Sequence, residues 1–209
     1  EGAWVVVNDL NGESASTTAQ EITQAGGTAL AVQGDVSDPT DVDRAYALGE
    51  DAWGGITLAV NNAGIVTQSP LAEMEIDDFD RMIAVHLRGC FICCRRAIGP
   101  MLSAGSGVII NIASQLGQVG GIELSHYSAA KAGIIGLTKS LAREVGEVGI
   151  TANCICPGLV ITDIIKNNGP DTAKSMGMTL EEMIAFFAQE SAIKRPNTVE
   201  EIAAMALLL

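Results

Sequence analysis

Short apolar runs alternate with longer amphipathic stretches along this chain, and this alternation constrains the fold more than any other feature. Five runs rich in Val, Ile and Ala have the length and composition of buried strands: AWVVVN, TALAVQ, ITLAVNNAG, GVIINIAS and ITANCICPG. Apolar strands separated by helices are typical of a parallel sheet that helices cover on both faces. Residues 1–209 therefore predict one α/β domain built on a single doubly wound parallel sheet.

The segments between the apolar runs contain recognisable helix boundaries. One helix is expected to begin at Ser37 or Asp38 with Pro39 in its first turn, a second to extend from Asp77 to about Leu102, and a third from Ser125 to Gly146. After the last strand, KNNGPDTAKSMG indicates a polar flexible stretch. Two later helices, TLEEMIAFFAQE and TVEEIAAMALLL, each begin with Thr followed by a Glu pair, which is typical of a capped helix start.

The charge balance restricts the partners of the chain. It contains 12 basic and 25 acidic residues, a formal net charge of −13 at pH 7. Such a surface repels nucleic acid and anionic membranes, so neither is an expected partner. Arg88, Arg95 and Arg96 form the one tight basic group, either the solvated face of a helix or a docking patch for an acidic carrier protein. No apolar stretch reaches the length of a transmembrane helix and Glu1 opens no signal-peptide pattern, so we expect a cytoplasmic protein.

The five cysteines favour a reducing compartment over a disulfide scaffold, because their number is odd and the chain is long. Cys90 and Cys93 form a CxxC pattern, but no second pair or histidine cluster completes a metal-binding set. We therefore expect no metal site. Cys90 and Cys93 on a helix, and Cys154 and Cys156 along a strand, are interpreted as small apolar core residues.

Polar residues and glycines follow every predicted strand at its carboxyl end. They are Asp9, Asp35, Asn61–Gly64, Ser114 and Pro157–Gly158. Ligands of open parallel sheets bind beyond the carboxyl ends of the strands, where these residues would meet. A sheet with a purely structural role would not need this bias, so the pattern predicts a ligand site at that edge.

Tyr127 and Lys131 stand out inside the small and apolar run SHYSAAKAGIIG. Their spacing of four residues places both side chains on one face of a helix. An ammonium beside a phenol favours the phenolate, so we expect the pKa of Tyr127 to be lowered and the residue to act as a proton donor and acceptor between alcohol and carbonyl. The alternative is a packed tyrosine beside a lysine that reaches to solvent.

Five ordered motifs give this pair a context: GDV, NNAG, NIAS, YSAAK and CPGLVIT. In this order and spacing they resemble the short-chain dehydrogenase/reductase family, and the resemblance covers essentially the whole chain. It implies a Rossmann-like dinucleotide-binding domain. It also implies an oxidoreductase that transfers a hydride between a nicotinamide cofactor and a secondary alcohol or ketone.

The resemblance also implies roles for individual residues. Tyr127 would be the catalytic acid and base, Lys131 would lower its pKa with the help of the cationic cofactor ring and bind the nicotinamide ribose, and Ser114 would hold the substrate oxygen. Asp9, at the end of the family's second strand, would accept hydrogen bonds from the adenosine ribose diol, which favours NAD over NADP. Asn61 is expected to tie strands together. The remaining cofactor-binding residues would be Asp35 and Val36 at the adenine, Asn62 and Gly64 along the adenosine, and Val160 and Thr162 at the carboxamide.

Two departures from the family pattern qualify this reading. His86 stands where the family usually has the asparagine that anchors a water in the proton relay; it would hold the water itself or would only pack its helix. The family's first strand and its TGxxxGxG turn are absent, and EGAW resembles the end of the first helix. A last strand would likewise be expected after MALLL. Because the first strand is central in the family's sheet, its absence would leave a gap, and we expect a longer natural chain that binds dinucleotide more tightly than these residues alone.

The substrate segment is expected at about 163–192, beside pocket candidates Gln115, Gly120 and Gly121. Its apolar residues would form a lid or only pack their helix: Met176, Met178, Met183, Phe186 and Phe187. The alternatives in function are a 3-oxoacyl-carrier-protein reductase that uses NADPH, and a non-catalytic NAD-binding module; NNAG argues against a sugar-nucleotide epimerase. Small and apolar residues on the two long helices predict a homo-oligomer, a dimer of dimers as in the family.

Overall fold

The computed structural model describes residues 2–189 and 191–209 as alternating strands and helices. Glu1, at the start of the predicted domain, and Glu190, in the predicted substrate segment, lie outside these residues. The strands are β1 (Trp4–Asp9), β2 (Thr28–Gln33), β3 (Leu58–Asn61), β4 (Gly107–Ile112) and β5 (Ile150–Ile155). The helices are α1 (Gly12–Gln24), α2 (Pro39–Trp53), α3 (Ile76–Ile83), α4 (Gly89–Ala104), α5 (Leu116–Val119), α6 (Ser125–Val145), α7 (Asp163–Ser175), α8 (Leu180–Ala188) and α9 (Val199–Leu208).

Local sequence explains how several helices begin and end. Asp38 caps α2, its side chain accepting from the Thr40 N–H at 2.8 Å, and Pro39 occupies the first turn as predicted. Gly54 ends the same helix at φ 83°, in the left-handed region that glycine tolerates best. The two Thr-initiated helices, α8 and α9, both begin with a complete capping box.

The strands are parallel, as expected, and they form two hydrogen-bonded sheets. β1 pairs with β2, and β3, β4 and β5 form a second sheet in that order. The α/β fold with parallel strands is thus confirmed, whereas within the described residues no ladder joins β1 to β3. The expected gap in the sheet therefore falls between these two strands. Helix α2 packs against both β1 and α4 and so connects the two sheets.

The core lies between the three-stranded sheet and helices α4 and α6. Ile109 on β4 and Ile150 on β5 are at most 1% exposed and pack with Met101 and Ala97 of α4. Such complete burial of branched aliphatic side chains supplies most of the stabilisation, at about 25 cal/mol per Å² of apolar surface removed from water.

A polar chain crosses this core and ties β3 to β4, as predicted for Asn61. The Asn61 amide donates to Asn111 Oδ1 at 2.7 Å, and the Asn111 amide donates to Thr138 Oγ1 at 2.8 Å. Both Asn111 and Thr138 are buried. Because their polar groups are paired with one another, their burial carries little penalty and the strand register is specified.

The long helix predicted over Asp77–Leu102 is continuous but not uniform. A π-helical turn, Ala84–Arg88, joins α3 to α4 and widens the helix where His86 lies. Such turns frequently mark functional positions, because they redirect one side chain without ending the helix. The sequence pattern contains no signal for this turn.

The prediction of a flexible stretch at KNNGPDTAKSMG is wrong for most of its length. Residues Asp163–Ser175 form α7, and Pro170 lies inside the helix. The polar composition belongs to a helix with little apolar surface, which periodicity alone does not distinguish from a loop. In the described part of the chain, none of the helices is long and apolar enough to cross a membrane.

Candidate active site

The polar strand ends predicted from the sequence lie at the carboxyl edges of the two sheets. Because β3, β4 and β5 run parallel and in register, Asn61, Ser114 and Pro157 follow neighbouring strands at the same edge. The backbone N–H of Gln115 donates to the Pro157 carbonyl at 2.9 Å, which joins the turns after β4 and β5. Gln115 therefore lies beside the predicted catalytic strand, as expected for a pocket residue.

The structure brings Ser114, Tyr127 and Lys131 together. Tyr127 and Lys131 share one face of α6, and the Lys131 ammonium lies 5.6 Å from the centroid of the Tyr127 ring. The Ser114 side chain lies close enough to the phenol of Tyr127 to lower its pKa. Lys131 is buried and donates to the Ile112 carbonyl at 2.8 Å. That carbonyl uses one of three ammonium protons, so two remain for other partners.

Burial dominates the electrostatics of this group. It raises the pKa of Tyr127, and the Ser114 side chain offsets this only in part. Burial also lowers the pKa of Lys131 to about 8, although the nearby thiols of Cys90, Cys154 and Cys156 oppose the shift. Burial therefore determines the direction of the Tyr127 pKa shift in the protein alone, and the lowering expected from Lys131 together with a cationic cofactor ring stays a prediction.

His86 is directed into the site by the π-helical turn. Its ring meets that of Tyr127 edge to face, with centroids 5.3 Å apart. Nε2 lies 3.0 Å from the backbone nitrogen and 2.8 Å from the oxygen of Ile65, while Nδ1 is buried without a hydrogen-bond partner. Burial, followed by the positive charge of Lys131, lowers the pKa of His86 to about 4, so the ring is neutral near pH 7. His86 thus holds protein backbone beside Tyr127.

The ends of β1 and β2 carry the residues that the sequence predicts at the adenosine. Asp9 Oδ1 accepts from the Asn11 N–H at 2.8 Å, and the exposed carboxylate has further lone pairs for a diol. Asp35 Oδ1 accepts from both the N–H and the hydroxyl of Ser37. Val36 packs so closely on Gly89 that a Cβ there would lie 2.9 Å from its side chain. This edge has the acceptors and the apolar wall that adenine and ribose require.

The remaining predicted cofactor residues lie on the two loops that follow β3 and β5. Asn62 and Gly64 are exposed, and a Cβ on Gly64 would lie 2.5 Å from His86 Cε1, so only glycine fits beside this ring. Val160 forms a bridge with Asn197, and Thr162 begins α7 without using its side chain as a cap. These positions fit a dinucleotide along the sheet edge.

The basic group predicted as a possible docking patch is largely engaged within the chain. Arg96 binds Glu50 through two nitrogens, at 2.8 and 2.6 Å, and Asp43 at 3.1 Å, and it lies over the ring of Tyr46. Arg88 donates to the Ser37 carbonyl. Arg88 and Arg96 thus leave less positive charge free for a docking patch than the sequence suggests, and they are not simply solvated either.

The apolar residues of the predicted substrate segment divide between packing and exposure. Met183 on α8 is 2% exposed and lies close to Gly169 of α7, so this contact packs α8 against α7. Phe186 is 51% exposed and contacts Phe187 at 5.4 Å between ring centroids. Packing therefore accounts for Met183, while Phe186 lies on the surface.

Four residues near the site were not singled out from the sequence: His126, Thr67, Gln68 and Thr172. His126 is fully buried, and its Nε2 lies 2.9 Å from Thr67 Oγ1. Thr172 of α7 donates to Gln68 Oε1 at 2.5 Å. The one available signal was a histidine directly before Tyr127 in SHYS, since a titratable ring within small residues needs a partner.

Comparisons with known proteins agree with this geometry. Residues 1–173 match the family model described as short chain dehydrogenase. The chain is 38% identical over 211 aligned positions to D-beta-hydroxybutyrate dehydrogenase of Rhizobium meliloti (strain 1021), covering all of this chain and 82% of the relative. It is 39% identical over 167 positions to a 3-oxoacyl-[acyl-carrier-protein] reductase of Synechocystis sp. (strain ATCC 27184 / PCC 6803 / Kazusa), covering 79% of this chain and 68% of the relative.

Solved structures lead to the same family. The crystal structure of sorbitol-6-phosphate 2-dehydrogenase SrlD from Erwinia amylovora superposes with a TM-score of 0.90 at 31% identity, covering 97% of this chain and 80% of that one. The parallel Rossmann-like architecture and the oxidoreductase class are therefore shared. The chain belongs to the short-chain dehydrogenase family and is an oxidoreductase of alcohol- and ketone-type substrates.

Proposed function

We propose that this protein is an NAD-dependent dehydrogenase of a secondary alcohol, with Ser114, Tyr127 and Lys131 as its catalytic residues. The observation that carries the proposal is the convergence of a hydroxyl, a phenol and a buried ammonium at the carboxyl edge of the sheet. A structural core has no use for such a set, because each group costs free energy when it leaves water.

In the proposed mechanism the substrate hydroxyl binds between the Ser114 hydroxyl and the Tyr127 phenol. Tyr127, in its phenolate form, accepts the proton of the alcohol and becomes the neutral phenol, and Ser114 donates a hydrogen bond to the oxygen on which charge develops. A nicotinamide cofactor, when bound, supplies the hydride acceptor. Lys131 has two protons beyond the one given to Ile112, which can bind a ribose hydroxyl and stabilise the phenolate.

Three structural features suggest that a dinucleotide fits along this edge. Asp9 offers a carboxylate to a ribose diol, Gly64 allows close approach of backbone, and the bond from Gly34 N–H to the Asp9 carbonyl, at 3.0 Å, aligns the ends of β1 and β2. We therefore propose Asp35, Val36, Asn62, Val160 and Thr162 as further cofactor contacts.

Asp9 is the proposed determinant of the preference for NAD. Asp9→Asn retains an oxygen for the Asn11 N–H but removes the negative charge that repels a 2′-phosphate. We expect the Kd for NADH to rise about tenfold and the Kd for NADPH to fall, which fluorescence titration of the full-length protein measures. Asp51→Asn, at an exposed position of α2, is the control with the same charge change. Equal effects of the two variants would contradict the assignment.

The function itself is tested by cofactor binding followed by turnover. NADH and NADPH are titrated against the full-length protein, and a panel of secondary alcohols and their ketones is then assayed at 340 nm. Tight NADH binding, weaker NADPH binding and turnover of at least one secondary alcohol are expected. Turnover only with NADPH and an acyl-carrier substrate would favour the reductase instead.

The carrier-protein reductase is the second candidate because a relative of that name is 39% identical. A docking surface for an acidic carrier needs accessible positive charge. Arg96 is paired with Glu50 and Asp43, and Arg88 is bonded to Ser37, so this helix offers less free positive charge than its sequence suggests. The dehydrogenase is therefore the better-supported candidate.

The non-catalytic module requires that the site bind cofactor without reacting. The convergence of Ser114 with Tyr127 argues against it, while the neutral His86 ring held on backbone is compatible with it. Tight NADH binding with no turnover across the panel would favour the module.

We further propose that the protein is cytoplasmic and that it forms a homo-oligomer. The proposed assembly uses the surface of α4 and α6, where Phe91 is 49% exposed and Gly136 faces open space. Light scattering on the purified protein checks the assembly.

A further inference from the structure

We infer that His126 and Thr67 act together as a positioning pair, which holds the substrate side of the site against Tyr127; this inference rests on the proposed function. His126 directly precedes Tyr127 on α6 and is fully buried. Its Nε2 lies 2.9 Å from Thr67 Oγ1, and its Nδ1 is buried without a partner. The ring therefore has one described hydrogen-bond partner, and that partner lies on another segment of the chain.

Thr67 belongs to the segment 62–75, which connects β3 to α3 and contains neither helix nor strand. A segment without regular structure needs other bonds to hold its backbone. Contacts that supply such bonds include those of Ile65 with His86, of Gln68 with Thr172 of α7, and of the Ser69 N–H with the Glu123 carbonyl at 3.0 Å.

The two histidines that contact this segment are both close to Tyr127, His86 in space and His126 in sequence. His86 contacts the Tyr127 ring and binds Ile65, one residue after the candidate cofactor residue Gly64. His126 is adjacent to Tyr127 in sequence and binds Thr67, two residues further on. The contact between His86 and Ile65 thus lies next to Gly64, in the part of the segment proposed to bind cofactor. The contact between His126 and Thr67 lies next to Gln68, which is hydrogen-bonded to the predicted substrate segment.

The positions of the two contacts predict that losing the bond between Thr67 and His126 affects the KM for the alcohol and not the Kd for NADH. Without the Thr67 hydroxyl, neither ring nitrogen of His126 would have a partner, although the ring remains buried. Residues 66–69 would then be less firmly held next to Tyr127. The cofactor half would stay in place, because Ile65 keeps both backbone contacts with His86.

The test replaces Thr67 rather than His126, because Thr67 is exposed and its replacement leaves the core intact. Thr67→Val keeps the shape and removes the hydroxyl. We expect the KM for the alcohol to rise about tenfold, with kcat within threefold and the Kd for NADH within twofold of the wild type. Thr67→Ser, which restores the hydroxyl, should return KM to near the wild-type value. Thr18→Val, on the exposed face of α1, is the matched control.

Two outcomes would overturn the inference: an unchanged KM in Thr67→Val, or a parallel loss of NADH binding that reveals general loosening. Hydrogen exchange supplies a readout that does not need turnover. Backbone amides of residues 65–69 should exchange faster in Thr67→Val than in Thr67→Ser. If the wild type turns over no alcohol, the proposed function fails, and equal exchange in the two variants would separately refute the positioning pair.

Discussion

Tyr127→Phe is expected to lower kcat for oxidation of a secondary alcohol by about 10³-fold while leaving the Kd for NADH within twofold of the wild type. The physical reason is that the phenolate is the proposed proton acceptor, and general acid–base catalysis contributes roughly 10²–10⁴-fold to such reactions. The ring that remains still fills the space beside His86 and Lys131, so the fold should be unaffected. Steady-state kinetics and NADH titration measure the two quantities.

The chain offers a closely matched control, since its only other tyrosine is Tyr46. The Tyr46 hydroxyl donates to the Cys93 carbonyl at 3.2 Å, away from the site. Tyr46→Phe should leave kcat unchanged and cost about 1 kcal/mol of unfolding free energy, the value of one hydrogen bond. Turnover that persists in Tyr127→Phe, or that falls equally in Tyr127→Phe and Tyr46→Phe, would contradict the proposed mechanism.

Acidification should destabilise the protein through His86. Its pKa is about 4 in the fold and close to 6.5 when unfolded, so between these values the unfolded chain binds one more proton than the folded chain. The free energy of unfolding therefore falls as the pH falls from 6.5 toward 4. One pKa unit corresponds to about 1.4 kcal/mol, which predicts a loss of about 2 kcal/mol from His86 between pH 7.5 and pH 5.

Urea denaturation at pH 7.5 and pH 5 measures this loss in the wild type and in His86→Gln. The glutamine amide has about the reach of Nε2, which contacts the Ile65 backbone, but does not titrate in this range. The variant should therefore lose about 2 kcal/mol less than the wild type over the same interval. His126 contributes in the same direction in both proteins, since burial lowers its pKa as well. Identical losses would show that the His86 ring is protonated in the fold.

The local part of this structure was predictable from the sequence. The alternation of apolar runs and helices specified the parallel α/β fold, Asp38 and Pro39 specified a helix start, and the spacing of Tyr127 and Lys131 placed both on one face of α6. Each of these depends on residues within a few positions of one another. Backbone periodicity therefore determines them before any tertiary contact forms.

Tertiary structure alone decided the remaining features. The bond between Thr67 and His126 joins residues 59 apart, and Arg96 binds Glu50 46 positions away, so neither follows from local spacing. Burial, which depends on packing from several elements, raises the pKa of Tyr127 even though the Ser114 side chain beside it lowers it. The sequence determined which chemical groups are present and on which helices and strands they lie. The packed fold decided how strongly each group is desolvated and which distant residue it contacts.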